Sequence, residues 1–460
     1  MAGSWSLHRL ATVAAETEER VCSYADLGLL YRHADADFEP DSLQPLRLIQ
    51  FAQARGVGAQ QLAAATSHGD LLDIFQELAP PSGAPVNLTD IAAELGLDDE
   101  VVTDLIEILQ WNEIGAITDT DVSVLRVVAR ALASGLPRDT LMQLVRVFAD
   151  AMERLADAEV RTFHNYVHER LRAQGLVGRE LLGASTGIAK PLFDLIKPAV
   201  VYFHRRAYQQ ANREHLLRHI AEETTPPSMA PGEEQATVLF VDLASFTPLT
   251  AAMGDHAAAQ VLHRFGITVR SAATRHGGRI LKQIGDAFML TFTQPTDAIE
   301  FGLAISRFVD AEPQFPALHM GAHHGRVLYR EGDYVGGTVN LAARVASASA
   351  PGQFLITQDL RRATEGGVDA EFAALPPRRL KGIAESVHLS EVRPRGPERA
   401  HRATDPVCGM QLHPHNAATR ITWHGRTFAF CSLTCAEAFD EDPGRFVAAD
   451  HKRSPRGIEG

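Results

Sequence analysis

The chain has 460 residues, 45% of them hydrophobic and 22% charged, a composition that suits two to four soluble globular domains with sizeable cores. A formal net charge of −13 argues against a general nucleic-acid or anionic-membrane binder, because phosphate is repelled overall. The amino-terminal stretch lacks a continuous apolar core of signal-peptide length. The most apolar later run, 187–203, carries Lys190, Asp194, Lys197, Pro191 and Pro198 and is too polar and broken to span a bilayer. A cytoplasmic location is the expectation, with thiols kept reduced.

Two polar, proline-bearing stretches, 222–235 and 393–404, read as linkers and divide the chain into 1–221, 236–392 and 405–450. The first part places apolar residues three and four apart almost throughout, as in LQPLRLIQFAQARG, DEVVTDLIEILQWN and DTLMQLVRVFADAMERLAD, and is expected to be all-α. Residues 86–110 resemble a helix-turn-helix, with Thr89 as cap, Ala92 and Ala93 packing and Gly96 turning. Asp98, Asp99, Glu100, Asp104 and Glu107 would face phosphate there, so the segment reads as a structural or regulatory unit rather than a DNA reader. His164 and His168 share a helix face but have no evident third ligand in sequence. His204, His215 and His219 lie on the helix that leads into the first linker. They suggest that pH or a ligand acting on this part shifts the activity of the next.

The middle part changes period. ATVLFVDL, RILKQI, AFMLTF, ALHMGAHHGRVLY and QFLIT read as strands, with helices at 247–276, 295–311 and 337–349 between them. The order is βαββαβ with additions, a ferredoxin-like α+β core. Asp242 ends the first strand and Asp286 sits in the turn between the second and third, so both carboxylates can reach one edge. Such a pair suits two Mg²⁺ or Mn²⁺ ions on a triphosphate.

FVDLASFT, KQIGDAF, GAHHGRV, DYVGGTVNLAARV and LKG, in that order and with the two aspartates 44 residues apart, resemble the class III adenylate and guanylate cyclases over nearly all of 236–392. The resemblance implies an enzyme that converts ATP to 3′,5′-cyclic AMP and pyrophosphate. It implies that Asp242 and Asp286 hold two Mg²⁺ or Mn²⁺ ions per site, that Lys282 and Asp333 bind the adenine, and that Asn340 orients the ribose. It further implies that Arg344 stabilises the transition state and that Arg326 and Lys381 contact the outer phosphates. Hydrogen-bond logic agrees on the base: Lys282 only donates and Asp333 only accepts, matching adenine N1 and its 6-amino group, whereas guanine reverses both. The family shares each site between two subunits, so a chain with both sets complete implies a homodimer with two composite sites. The 51 residues from Lys282 to Asp333 are short for the family and imply a reduced dimerisation arm. The first motif departs from the family in carrying Ser245 where many members have Gly, a small residue expected to cost no function.

At the carboxy terminus, DPVCGM, FAFCSLTC, Phe439, Pro443 and Phe446 resemble a YHS domain, a small heavy-metal-associated module. Cys408, Cys431 and Cys435 form a soft-metal set suited to Zn²⁺ or Cu⁺, with His413, His415 and His424 as candidates for a fourth ligand. A module of about 45 residues rarely folds without a staple, which favours metal over plain core cysteines. The alternative to an active, regulated enzyme is a metal- or ligand-sensing dimeric signalling protein whose cyclase domain is silent.

Overall fold

Helical periodicity governs one unit, Met1–Pro227, and strand alternation governs most of the other, Ser228–Gly460. The computed structural model describes residues 4–32, 38–39, 42–66, 86–111, 117, 119–222, 232–312, 315–395, 403–412 and 417–451. Most of both linker stretches read from the sequence lies outside these, as do His413 and His415.

The first unit is helical, as its periodicity predicts. Leu10, Tyr24, Phe38 and Leu46 form one core, and Leu105, Trp111, Leu125 and Met142 form another. The helix-turn-helix-like segment is two helices, Leu88–Leu95 and Asp99–Ile108. Its cap is Asn87, whose Oδ1 accepts the Thr89 amide at 3.0 Å, and not Thr89; Ala92 is buried and Ala93 exposed. The acidic second helix spends Glu100 and Asp104 on ion pairs with Arg138, which gives those charges a structural partner. Two long helices follow, Arg138–Phe163 and Gly178–Glu222; the second runs through Pro191 and Pro198. Among the described residues no helix is long and apolar enough to cross a membrane.

In the second unit β1 (Glu233–Leu243) leads to α1 (Phe246–Met253) and α2 (Asp255–Arg275). A hairpin of β2 (Gly278–Ile284) and β3 (Ala287–Phe292) precedes α3 (Pro295–Ala311) and β4 (Leu318–Arg330). These four strands lie in the order β2-β3-β1-β4, antiparallel at every pairing, which is the ferredoxin-like order expected from the sequence. The short β5 (Asp333–Val335) pairs with β4 and leads into α4 (Gly337–Ala348). The sheet is extended by β6 (Gln353–Thr357), parallel to β4, and then by β10 (Leu389–Pro394) and β7 (Ala370–Ala374). Between β6 and β7 lies α5 (Gln358–Ala363), and before β10 a small ladder pairs β8 (Arg378–Arg379) with β9 (Ser386–Val387). Phe265, Phe288, Phe292 and Phe315 fill the interior, each burial stabilising by about 1.5–3 kcal/mol. On the other side α4 lies directly on β4, because a Cβ at Gly321 would stand 2.0 Å from the Ala346 nitrogen.

The Cys-rich module has two small ladders, β11 (Ala403–Thr404) with β12 (Gln411–Leu412) and β13 (Thr419–Trp423) with β14 (Arg426–Phe430). Helices α6 (Leu433–Glu441) and α7 (Pro443–His451) close it. Its core of Val407, Met410, Phe430 and Phe439 belongs to the same apolar cluster as Phe265 and Phe315 of the sheet domain. The linker read at 393–404 therefore joins two parts whose apolar interiors are continuous. A module this small cannot bury enough apolar surface by itself, so it borrows a wall from its neighbour.

Candidate active site

Asp242 is the penultimate residue of β1, and the register that sets Val241 opposite Phe288 brings it beside the β2–β3 turn holding Asp286. Its Oδ1 is buried without a hydrogen-bond partner. Burial first, and then the facing charge of Asp286, push the Asp242 carboxyl up to about 7. A buried orphan oxygen beside a second carboxylate is an incomplete site that a hard divalent cation completes with oxygen ligands. The pair fits Mg²⁺ or Mn²⁺ on this structural ground.

The chain then makes a tight turn into α1. The Ala244 amide donates to the Ala317 carbonyl at 2.7 Å, and Ser245 adopts φ 58°, ψ 36°, the left-handed region. The sequence treats Ser245 as a harmless small residue, but a side chain there carries about 1–2 kcal/mol of strain. Part of that is offset in a Gly variant by the extra entropy of its unfolded chain, about 0.5–1 kcal/mol. Ser245→Gly is therefore expected to stabilise the protein by about 0.5–1 kcal/mol, read as a rise in melting midpoint; a fall would remove the strain argument.

Lys282 lies on β2 just past a register irregularity between Ile280 and Lys282, the kind of bulge that re-aims a side chain. Its Nζ meets Asp333 Oδ2 at the start of β5, while Asp333 Oδ1 accepts the Tyr334 amide at 2.8 Å. Asn340 and Arg344, four apart on α4, share an exposed face; Arg326 on β4 and Lys381 between β8 and β9 are exposed as well. None of these four side chains bonds to either pair within the chain. His323 and His324 of the GAHHGRV motif are cross-strand fasteners, with Nδ1 to Thr357 Oγ1 at 2.8 Å and to Thr237 Oγ1 at 3.0 Å. Burial lowers both imidazoles, which favours their neutral form.

In the terminal module Cys408 Sγ lies 3.4 Å from Cys431 Sγ, which lies 3.7 Å from Cys435 Sγ. Four-coordinate tetrahedral binding at about 2.3 Å separates thiolates by roughly 3.8 Å, so the spacing suits a metal. Hydrogen bonds from Cys408 and Cys431, with a smaller one from Ser432, pull the Cys435 thiol well below its usual range, which favours the thiolate there. Among the described residues the fourth group is Asp405, fully buried; the described histidine candidate, His424, is exposed and stands against Trp423, while His413 and His415 lie outside the described residues. Asp405 was missed because its role is tertiary. Its Oδ1 accepts the Val407 and Cys408 amides at 2.9 and 3.3 Å, and its Oδ2 accepts the Cys431 amide at 2.8 Å. The DPVC spelling, an Asx-turn signal, was the available hint.

His164 and His168 also gain a companion. They lie in a π-turn, whose wider winding brings Glu169 to within 3.5 Å of His164 Nε2, while His168 Nδ1 lies 3.2 Å from Ser185 Oγ.

Residues 229–388 match the family model of the adenylate and guanylate cyclase catalytic domain, and residues 403–450 match that of the YHS domain. The pH-sensitive adenylate cyclase MT1302 of Mycobacterium tuberculosis (strain CDC 1551 / Oshkosh) is 26% identical over 365 residues, covering 75% of this chain and 87% of that protein. An adenylate cyclase of Streptomyces coelicolor is 26% identical over 265 residues, covering 56% of this chain and 65% of that protein. Among solved structures, the adenylyl cyclase CyaB from P. aeruginosa aligns at 22% identity with a TM-score of 0.33, covering 37% of this chain and 98% of that chain.

Proposed function

From a chain that carries an adenylate and guanylate cyclase catalytic domain and, after it, a YHS domain, we infer an enzyme that converts ATP to 3′,5′-cyclic AMP and pyrophosphate. The observation that carries the choice of ATP is the Lys282–Asp333 contact, which sets one donor beside one acceptor. Lys282 donates to N1 and Asp333 accepts from the 6-amino group. Asn340 holds the ribose so that its 3′-oxygen lines up with the α-phosphorus. Arg344 donates to the α-phosphate oxygens, where charge grows as the new bond forms. Arg326 and Lys381 hold the outer phosphates, which leave as pyrophosphate. Asp242 and Asp286 hold the divalent ions, which when bound acidify the 3′-hydroxyl and neutralise the phosphates.

The exposed face of Asn340 and Arg344, with no intrachain partner at either pair, supports a site completed by a second copy. The apolar residues Phe148, Met152 and Leu155, exposed at helical spacing, support a homodimer that covers them. Control of the cyclase by the helical unit is part of the same reading, and the name of the M. tuberculosis relative makes pH a signal to try first.

The test is to incubate the purified full chain with ATP or GTP and Mn²⁺ or Mg²⁺ and to assay cyclic product. Cyclic AMP from ATP is expected; a folded dimer that yields no product under any of these conditions would sink the reading. A pH dependence follows from Asp242. Below about pH 7 the metal-free protein holds a proton there that an incoming cation must displace. Mn²⁺ affinity should therefore rise with pH and level off above about 7, measured by calorimetry on either side of that value. Affinity that is flat across this range would mean that the proton is not held at the metal site.

A further inference from the structure

The Cys-rich module reaches the catalytic edge through backbone. Asp405 organises the turn that presents Cys408: its carbonyl accepts the Gly409 amide at 2.9 Å and its amide donates to the Met410 carbonyl at 2.8 Å. The next residues pair with the segment that enters β4. The Ala317 amide donates to the Gly409 carbonyl at 3.0 Å, and the Gln411 amide donates to the Phe315 carbonyl at 3.1 Å. Ala317 in turn accepts the Ala244 amide at 2.7 Å. Two backbone bonds therefore link the residue after Cys408 to the residue two past Asp242. The packing is as close as the bonding. Gly409 has φ 73°, and a Cβ there would stand 2.5 Å from the Ala244 carbonyl oxygen and 3.1 Å from the Ser245 Cβ. The turn that Gly409 presses on is the strained one, with Ser245 left-handed.

We propose that the Asp405–Cys408–Cys431–Cys435 cluster is a control site of the cyclase, filled by a soft or borderline cation such as Zn²⁺ or Cu⁺ and coupled to the Asp242 edge through Gly409 and the Ala244–Ser245 turn. A cation that draws in Cys408, Cys431 and Cys435 fixes the loop 405–409, and that loop is the floor beneath Ala244. An unfilled cluster leaves the floor held by its hydrogen bonds and by the packing of Val407 and Met410, without the cation's cross-link. Coupling between sites requires an element with two arrangements, and the strained turn resting on this floor is the element that the cation would bias. The proposal rests on the reading of Asp242 and Asp286 as the catalytic cation site.

Linkage makes the proposal measurable without turnover, because each ligand must change the affinity of the other by the same factor. Full-length protein stripped of metal is titrated with Mn²⁺ and a non-cyclisable ATP analogue, before and after loading one equivalent of Zn²⁺ per chain. Zn²⁺ affinity is read by competition with a chromophoric chelator, with and without the Mn²⁺–analogue pair. A change of about fivefold or more is expected in each direction, with equal factors. Cys408→Ser/Cys431→Ser/Cys435→Ser should remove the Zn²⁺ response, which also excludes Zn²⁺ acting at the catalytic carboxylates. Gly409→Ala should keep tight Zn²⁺ binding in the chelator assay while the coupling factor falls toward one.

Nucleotide affinity that stays within twofold on full Zn²⁺ occupancy overturns the proposal, and so does an unchanged response in the triple-serine protein. These outcomes separate from failure of the functional reading. If metal-free protein neither binds the Mn²⁺–analogue pair nor makes cyclic product, both readings fall; if it does both and Zn²⁺ moves neither, only this one falls.

Discussion

Asp286→Ala should reduce cyclisation by about 1000-fold or more, because cation stabilisation of the transition state is worth several kcal/mol and each 1.4 kcal/mol is tenfold. The loss is expected in kcat/KM at saturating Mn²⁺, with ATP analogue binding weakened as well. A second readout separates this from misfolding. In the metal-free wild type, Asp242 titrates at about 7 against an ordinary 3.8, so the folded state holds more protons than the unfolded state between those values. The sign follows: this contribution is most favourable below the unfolded value and is lost as pH rises toward about 7. Removing Asp286 deletes one of the two leading causes of the raised carboxyl and leaves burial as the other. The metal-free variant should therefore lose less stability than wild type between pH 4 and pH 7, seen as a smaller fall in melting midpoint. A variant that keeps its activity, or that simply melts early at every pH, would remove Asp286 from the catalytic role.

Exchanging the base contacts, Lys282→Glu with Asp333→Cys, should turn preference from ATP toward GTP. In the wild type guanine leaves Lys282 facing a donor and Asp333 facing an acceptor, and each unpaired polar group costs about 1–3 kcal/mol where water is excluded. Both side chains stay 39% and 35% exposed in the single chain, so water can repair part of each mismatch. The lower part of the range is therefore expected, a change of about 30–100-fold in the ATP-to-GTP ratio of kcat/KM. Measured ratios within threefold of wild type, in a variant that still cyclises one of the two nucleotides, would show that the base is chosen elsewhere. The single variants should be worse than the pair for both nucleotides, because each leaves a lone charge in a position built for two.

Much of the site was legible in the sequence because its spacings are local. Asp286 follows Lys282 by four residues across one hairpin, and Asn340 and Arg344 share a helix face by their separation of four. Strand alternation was enough to give the order βαββαβ, and that order leaves few topologies. What was missed depends on contacts between distant residues. Asp405 was hidden among ordinary turn residues until Cys431, 26 positions later, came to donate its amide to it. Ser245 looked like a neutral replacement for glycine because composition says nothing of φ. Thr89 was a plausible cap by type, but the helix began two residues earlier and Asn87 took the position. Glu169 joined His164 and His168 only because the helix widens into a π-turn there, and no periodicity rule for an α-helix places positions 164 and 169 together.

The sequence by itself determined the helical amino-terminal part, the ferredoxin-like core, the two carboxylates at one edge and the donor–acceptor character of Lys282 and Asp333. These follow from local periodicity, turn chemistry and short fixed spacings, which the chain carries whatever it later packs against. Only the tertiary structure decided that the Cys-rich module shares a core with the sheet domain and that Gly409 lies against Ala244. A hydrophobic pattern states which face is buried but not by what, and the Gly409–Ala244 contact joins residues 165 positions apart. The close approach needs a glycine and a small residue to meet, and either one alone reads as an ordinary turn.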